Sequence, residues 1–427
     1  MKPVRNIRAS YAAIRGARLP GLLLLVVVTT VVACVASGQV FGFSLSGWAW
    51  VIPFVLAGFV ALANASKVTF PIMLWLPWAL WVLGYLLFEP YPHALQRSVM
   101  LLCPLVVGQA LSTYRLTAAQ LSVVGVLMRW VAGALWVVVL LNTGLLVTGR
   151  LPAATGMAPQ AITACLLASL FAAEFAEGRK GALAWWASIA VIPVIALTRT
   201  AIAAAAVTLP FSLGKVGLRR RLVFIGLIAA GLVFVFYTPR VQHKMFFSGQ
   251  GTLSELSFSN PNLQTSGREM MWQVFDAEIQ QRPWLGHGAN ASEELVNQLI
   301  PGLGHPHNDY IRLKYDYGYI GLCLFLLGLA GQALHAWRRA RKAAGPVRWL
   351  LLGAVSAFLP FLIMMKTDNI VLYCAFFGNL QFSLLGLGYG VLRAEAMGAL
   401  PPVRPPHPPS MRRPVPALPA VVFEGKG

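Results

Sequence analysis

The sequence predicts an all-α polytopic membrane protein of about 12 transmembrane helices, with one large loop on the outer face that contains short helices. Three observations predict it. Hydrophobic residues make up 57% of the chain and charged residues 11%, whereas soluble domains carry about 25% charged residues. Runs such as Leu22–Val35, Leu222–Val235 and Tyr319–Leu334 approach the length that spans a bilayer. No ten-residue alternating pattern of a membrane barrel interrupts them.

Taken in order, residues 1–19 carry Lys2, Arg5, Arg8, Arg15 and Arg18 ahead of the first apolar run. No small-residue cleavage site follows, so they read as a basic cytoplasmic segment before a retained helix. Transmembrane helices 1–9 fill residues 20–238, at 20–37, 46–63, 69–88, 97–112, 121–146, 157–175, 182–197, 201–214 and 222–238. Helices 10–12 fill residues 319–393, at 319–337, 349–366 and 371–393. The loops that carry Arg115, Arg179 with Lys180, Lys215 with Arg219–Arg221, and Arg338 to Lys342 all fall on the side of the basic N-terminus. Positive-inside bias assigns that side to the cytoplasm. Arg129 is the intramembrane exception, expected to snorkel towards the inner surface. Residues 394–427, with PPVRPPHPPSMRRPVPALP, form a proline-rich tail of disordered type on the same side.

The formal charge of +20 raises the possibility of a nucleic-acid partner. Its distribution argues against one, because the cations sit in short inter-helical loops rather than in one patch. The five cysteines all fall within predicted spans and lack CxxC spacing, which points to buried apolar residues rather than a disulfide framework or a zinc site.

Residues 239–318 break the rule of short connections and hold a large share of the polar side chains. Glu269–Gln281 and Ala291–Leu299 have helical periodicity, so this far-side loop is expected to carry two short helices and the chemistry. Three arginines on that side run against the orientation bias. Arg97 follows EPYPHALQ, Arg199 interrupts the apolar ALTRTAIA, and Arg268 stands in QTSGREMMW just after Ser266-Gly267. Interfacial snorkelling accounts for Arg97 as well as ligand binding does. Arg199 lies at the membrane surface, where an ionisable group is a functional hypothesis, and Arg268 opens a helix whose N–H groups suit an anion. Two guanidinium forks can hold a pyrophosphate through bidentate, charge-assisted hydrogen bonds.

GHPHNDYIRLKYDYGYIG, residues 304–321, closes the loop. His305 and His307 lack the further ligands that a metal needs, and a neutral imidazole taking a proton from a hydroxyl is the simpler reading. His287, in WLGHGAN, is the spare candidate. No DxD pair or pair of placed carboxylates supports a nucleotide-sugar transferase or a glycoside hydrolase. Lys366 and Asp368, in MMKTDN, read as a pair of mainly structural role.

These stretches resemble the O-antigen ligase and polymerase superfamily of bacterial envelope glycosyltransferases. His307-Asn308, then nine residues to Gly318, then two more to Gly321, is similar to the family's histidine motif. TRTA around Arg199, and SGREMMWQVFDAEIQQRPWLGHG with Arg268, resemble its two arginine stretches. The resemblance implies a GT-C-like fold in the bacterial inner membrane with its site facing the periplasm. It also implies transfer of an undecaprenyl-pyrophosphate-linked glycan to a lipid A–core hydroxyl, with inversion and with no cofactor or metal. His307 would be the general base, and Arg199 and Arg268 would hold the pyrophosphate. Arg97, Asn308, His305 and His287 are the further substrate-binding candidates. Membrane lipids are the only other partner expected. Relatives with the same donor polymerise O-antigen or glycosylate protein, and a lipid-linked anion transporter is the rival of another class.

Overall fold

A computed structural model describes residues 19–35, 39–40, 43–150, 156–179, 181–257, 260–264 and 267–397. The basic N-terminal segment, the proline-rich tail, Lys180 and Ser266 lie outside the described residues. Apart from a two-residue antiparallel pair, Gln39–Val40 with Phe43–Ser44, the regular structure described is helical.

The first half holds α1 (Gly21–Ala33), α2 (Leu45–Ala63), α3 (Leu76–Phe88), α4 (Ala94–Leu111), α5 (Ala118–Val147) and α6 (Ala158–Ala176). Then come α7 (Gly181–Ala190), α8 (Ile192–Ile195), α9 (Arg199–Thr208), α10 (Leu218–Phe236) and α11 (Pro239–Met245). The chain continues with α12 (Arg268–Ile279), α13 (Ala291–Leu299), α14 (Asp309–Lys342), α15 (Gly345–Ser356), α16 (Phe358–Met364) and α17 (Gly378–Ala396). Each of the twelve predicted apolar segments therefore contains helix. By length and hydropathy, five helices among those described suffice to cross a membrane, or six if the bent pair α10–α11 is one span. Several of the others, among them α1, α3 and α7 with α8, are apolar but shorter, because prolines and polar turns divide the apolar runs. Pro193 falls in the short α8, and Thr238-Pro239 turns α11 by 75° from α10.

Helix α6 is the pillar of the bundle, buried over nearly all its length and packed against α5, α7, α9 and α15. Its Ala161, Ala164, Ala168 and Ala172 have almost no exposed surface, and such small side chains let neighbouring backbones approach closely where no water drives association. α4 packs against α17 and α2, and α14 lies against α3 and α15. On the outside, Leu222, Leu227 and Phe234 of α10 and Trp130, Val137 and Leu140 of α5 are exposed. An apolar exterior of this kind suits a lipid solvent. Four cysteines are buried as expected, but Cys323 is exposed on the outward face of α14. Arg129 is ion-paired within the bundle. Its Nη2 lies 2.7 Å from Glu174 on α6, whose other carboxylate oxygen takes Arg179 at 2.8 Å. A buried carboxylate needs cations close by, and Glu174 takes two.

The expected start of a helix at 319 falls directly after a break within a longer helical stretch. Helix α14 begins at Asp309 and is interrupted at Gly318, where φ is 70° and ψ 179°. Asn308 caps it, its side-chain oxygen accepting the Ile311 N–H at 3.2 Å. A side chain at Gly318 would strike the carbonyl of Trp284. The turn Pro283–Gly286 packs on this break, with Tyr319 N donating to Pro283 O at 2.8 Å. Gly318 thus divides α14 into a short helix at 309–317 that closes the loop and a long one from 319 that begins the span.

Candidate functional site

Three segments distant in sequence are fastened around residues 365–371. Asp309 N donates to Met365 O at 2.8 Å, and Val371 N donates to the Asp309 carboxylate at 2.8 Å. Arg268 Nη1 donates to Thr367 O at 2.9 Å, and the hydroxyls of Thr200 and Thr367 are hydrogen-bonded. Trp272 Nε1 donates to Pro306 O at 2.8 Å, which ties α12 to the histidine turn. The starts of α9, α12 and α14 thus meet at one point.

Beside it lies a cavity of about 460 Å³, lined among others by Arg199, Lys244, Gln264, Arg268, Trp272 and Asp368. Arg199 is held by the Gln264 carbonyl at 2.9 Å and Met245 Sδ at 3.8 Å. Arg199 and Arg268 are the first residues of α9 and α12, so the N-terminal ends of both helices border the cavity. Those ends carry partial positive charge and unsatisfied N–H groups. Three cations and one carboxylate stand among its lining residues, which gives the cavity a net positive wall.

His307 stands one residue layer away. Its Nδ1 is 3.2 Å from Asn369 Nδ2 and 4.0 Å from Asp368 Oδ1. Burial and the nearby Arg268 guanidinium lower its pKa to about 4, so at neutral pH the imidazole is uncharged and the Asp368 contact is not an ion pair. Its backbone has φ 51°, and Leu197, which lines the cavity two residues before Arg199, has φ 50°. Left-handed non-glycine residues cost of order 1–3 kcal/mol and tend to persist where function over-determines them.

The remaining predicted residues are placed differently. His305 is half-buried, its Nδ1 lacks a hydrogen-bond partner, and desolvation with Arg312, Arg97 and His307 nearby lowers its pKa to about 2. Asn308 is buried as the cap of α14. Arg97 donates to Glu293 at 2.9 Å and lines a separate cavity of about 190 Å³ with Trp50, Gln96 and Tyr373. His287 stacks on Tyr315 at 4.2 Å and receives its place from that contact. The cluster therefore unites Arg199, Arg268 and His307, and leaves Arg97 and His287 outside it.

Sequence reasoning passed over Lys244, Thr367 and Asn369 and gave Asp368 a structural role beside Lys366. Asp368 turns to His307 while Lys366 is exposed. The one available signal was the polar MMKTDN at the end of an apolar run.

Residues 182–326 match the O-antigen ligase family. The matched stretch includes Arg199, Arg268, His307, Gly318 and Gly321, and stops short of the 365–371 segment. No curated protein matches the chain.

Proposed function

We propose, for a chain whose residues 182–326 are those of the O-antigen ligase superfamily, that it transfers a glycan from undecaprenyl pyrophosphate to a sugar hydroxyl of lipid A–core. The reaction takes place at the periplasmic face of the bacterial inner membrane, on a loop-bearing bundle of about 12 spans. The observation that carries the reading is the cationic cavity at two helix starts, one residue layer from an uncharged histidine.

In this reading the pyrophosphate lies in the cavity against Arg199, Arg268 and Lys244. His307 takes the proton of the acceptor hydroxyl while its oxygen attacks the anomeric carbon from the face opposite the leaving group. The glycosidic bond to pyrophosphate breaks with inversion, and the charge that develops on the phosphate oxygen meets preorganised cations. A base and an anion clamp in fixed register fit transfer better than transport. A carrier would need its charges along a path through the bilayer rather than at helix ends.

Purified protein with undecaprenyl-pyrophosphate-linked glycan and lipid A–core tests the proposal. His307→Ala should lower transfer by about 10²–10⁴-fold, the usual worth of a general base. Full activity in that variant would remove the base assignment. A deletion strain separates the acceptors. Loss of ligation leaves bare core while polymer accumulates on the carrier, whereas loss of polymerisation leaves single repeats still ligated.

A further inference from the structure

Transfer by His307 needs more than a neutral ring, because the two neutral tautomers are not equivalent. With the proton on Nε2, that nitrogen cannot accept one; with the proton on Nδ1, the Nε2 lone pair is available. The partner of Nδ1 therefore decides whether the base works. That partner is Asn369, whose Nδ2 lies 3.2 Å from Nδ1 and whose Oδ1 is buried with no hydrogen-bond partner. Rotating the amide by half a turn exchanges the two atoms. In one setting Nδ2 donates to Nδ1 and the proton stays on Nε2. In the other, Oδ1 accepts an Nδ1–H and Nε2 keeps its lone pair free to act as a base.

Several observations hold Asn369 for this task. It is fully buried, it begins the turn that the Asp309 carboxylate fastens through Val371 N, and Tyr373 neighbours its side chain. Its own backbone N–H donates to Asp368 Oδ1 at 2.9 Å, which keeps that carboxylate 4.0 Å from the same imidazole nitrogen. The left-handed backbone of His307 aims the ring at this turn instead of continuing into α14. A turn of this precision around one ring nitrogen exceeds what packing alone requires.

We propose that Asn369 is a positioning residue that selects the His307 tautomer, and that Asp368 supports the imidazolium formed during transfer. The proposal rests on His307 acting as base. In the step, the acceptor O–H proton passes to Nε2, the acceptor oxygen bonds to the anomeric carbon, and the pyrophosphate departs with the electron pair of the broken bond. The resulting imidazolium keeps Nδ1–H on Asn369 Oδ1. The charged and titratable groups facing the ring are Arg268 from α12, Asp368 from the turn and His305 from its own segment.

The test uses the full chain in lipid nanodiscs, with Asn369→Leu and Asn369→Asp. Undecaprenyl pyrophosphate should bind both variants as tightly as the parent, which also verifies folding. Asn369→Leu should lower kcat by about 100-fold with the donor KM unchanged. Asn369→Asp should keep kcat within about tenfold and raise the acidic limb of kcat/KM by about one pH unit, since an anion now faces Nδ1. Imidazole ¹⁵N signals of His307, assigned by their loss in His307→Gln, should show the Nδ1–H tautomer lost in Asn369→Leu. An unmoved acidic limb in Asn369→Asp together with unchanged ¹⁵N signals in Asn369→Leu would overturn the proposal. If His307→Ala is inactive in that case, the base reading survives and only the role of Asn369 falls. If His307→Ala is fully active, the base reading itself falls.

Discussion

Arg268→Gln is the most informative substitution, because one guanidinium serves two parts of the site. It lines the anion cavity, donates to Thr367 O at 2.9 Å, and lowers the pKa of His307. A hydrogen bond to a charged group is worth about 1.5–3 kcal/mol. Loss of a charge-assisted, bidentate contact to pyrophosphate in a half-buried setting should therefore cost about 3 kcal/mol, or roughly 100-fold in Kd for undecaprenyl pyrophosphate. Released from Arg268, the imidazole should titrate above its present value of about 4. It should stay below an ordinary histidine, because burial is the larger cause of the shift.

The assay is titration calorimetry or fluorescence with undecaprenyl pyrophosphate in nanodiscs, paired with a pH series of kcat/KM. Arg268→Lys is the control: it keeps the charge, and so the acidic limb, but loses the planar fork and about tenfold in affinity. Parent-like donor affinity in Arg268→Gln would refute the phosphate role. A lower affinity with an unmoved limb would refute the electrostatic link to His307.

Four further outcomes follow from the structure. The base form of His307 exists above its pKa of about 4, so kcat/KM should hold on acidification through pH 6 and fall only near 4; a limb at 6.5 would contradict the buried, cation-flanked setting. Gly318→Ala places a side chain at φ 70° against the Trp284 carbonyl and should cost about 1–3 kcal/mol, read as a lower unfolding temperature in detergent. Glu174→Gln leaves Arg129 without its counter-charge and should destabilise by about 3 kcal/mol in the same assay, with donor affinity unchanged. N-Ethylmaleimide should modify Cys323 ahead of Cys34, Cys103, Cys165 and Cys374, as read by mass spectrometry of the detergent-solubilised protein.

The helical segments were legible because hydrophobic runs are a local property: Leu22–Val35 or Tyr319–Leu334 announces itself without knowledge of neighbours. The arginines and His307 stood out for the opposite reason, as polar residues in so apolar a chain, and the structure brings Arg199, Arg268 and His307 near one another. What stayed hidden is long-range. Glu174 reads as one acid in an alanine-rich helix until α5 brings Arg129 to it from 45 residues away. Asp309 reads as part of a loop motif until its carboxylate meets Val371, 62 residues on. Asn369 shows in the sequence only as the last residue of the polar MMKTDN, since its meaning lies in the histidine it faces. Gly318 and Gly321 were visible as spacing, yet only packing gives the reason. The first is the joint on which Trp284 sits, and a side chain at the second would come within 2.9 Å of Trp81 Nε1.

The charge arrangement also explains why acid, base and cations occupy so little space in so apolar a chain. Arg268 both lines the cationic cavity and suppresses the charge on His307, so in the proposed reaction the imidazole starts out neutral but weakly basic. A pyrophosphate in the cavity would offset that cation, and the same imidazole would then hold a proton more readily. Asp368, on the cavity wall and 4.0 Å from Nδ1, would favour the imidazolium further. Basicity in this reading rises with donor occupancy, which delays proton removal until a leaving group is in place. Such coupling requires the clamp and the base to share one cation at short range. The 365–371 segment supplies that closeness by fastening α9, α12 and α14 to a single turn.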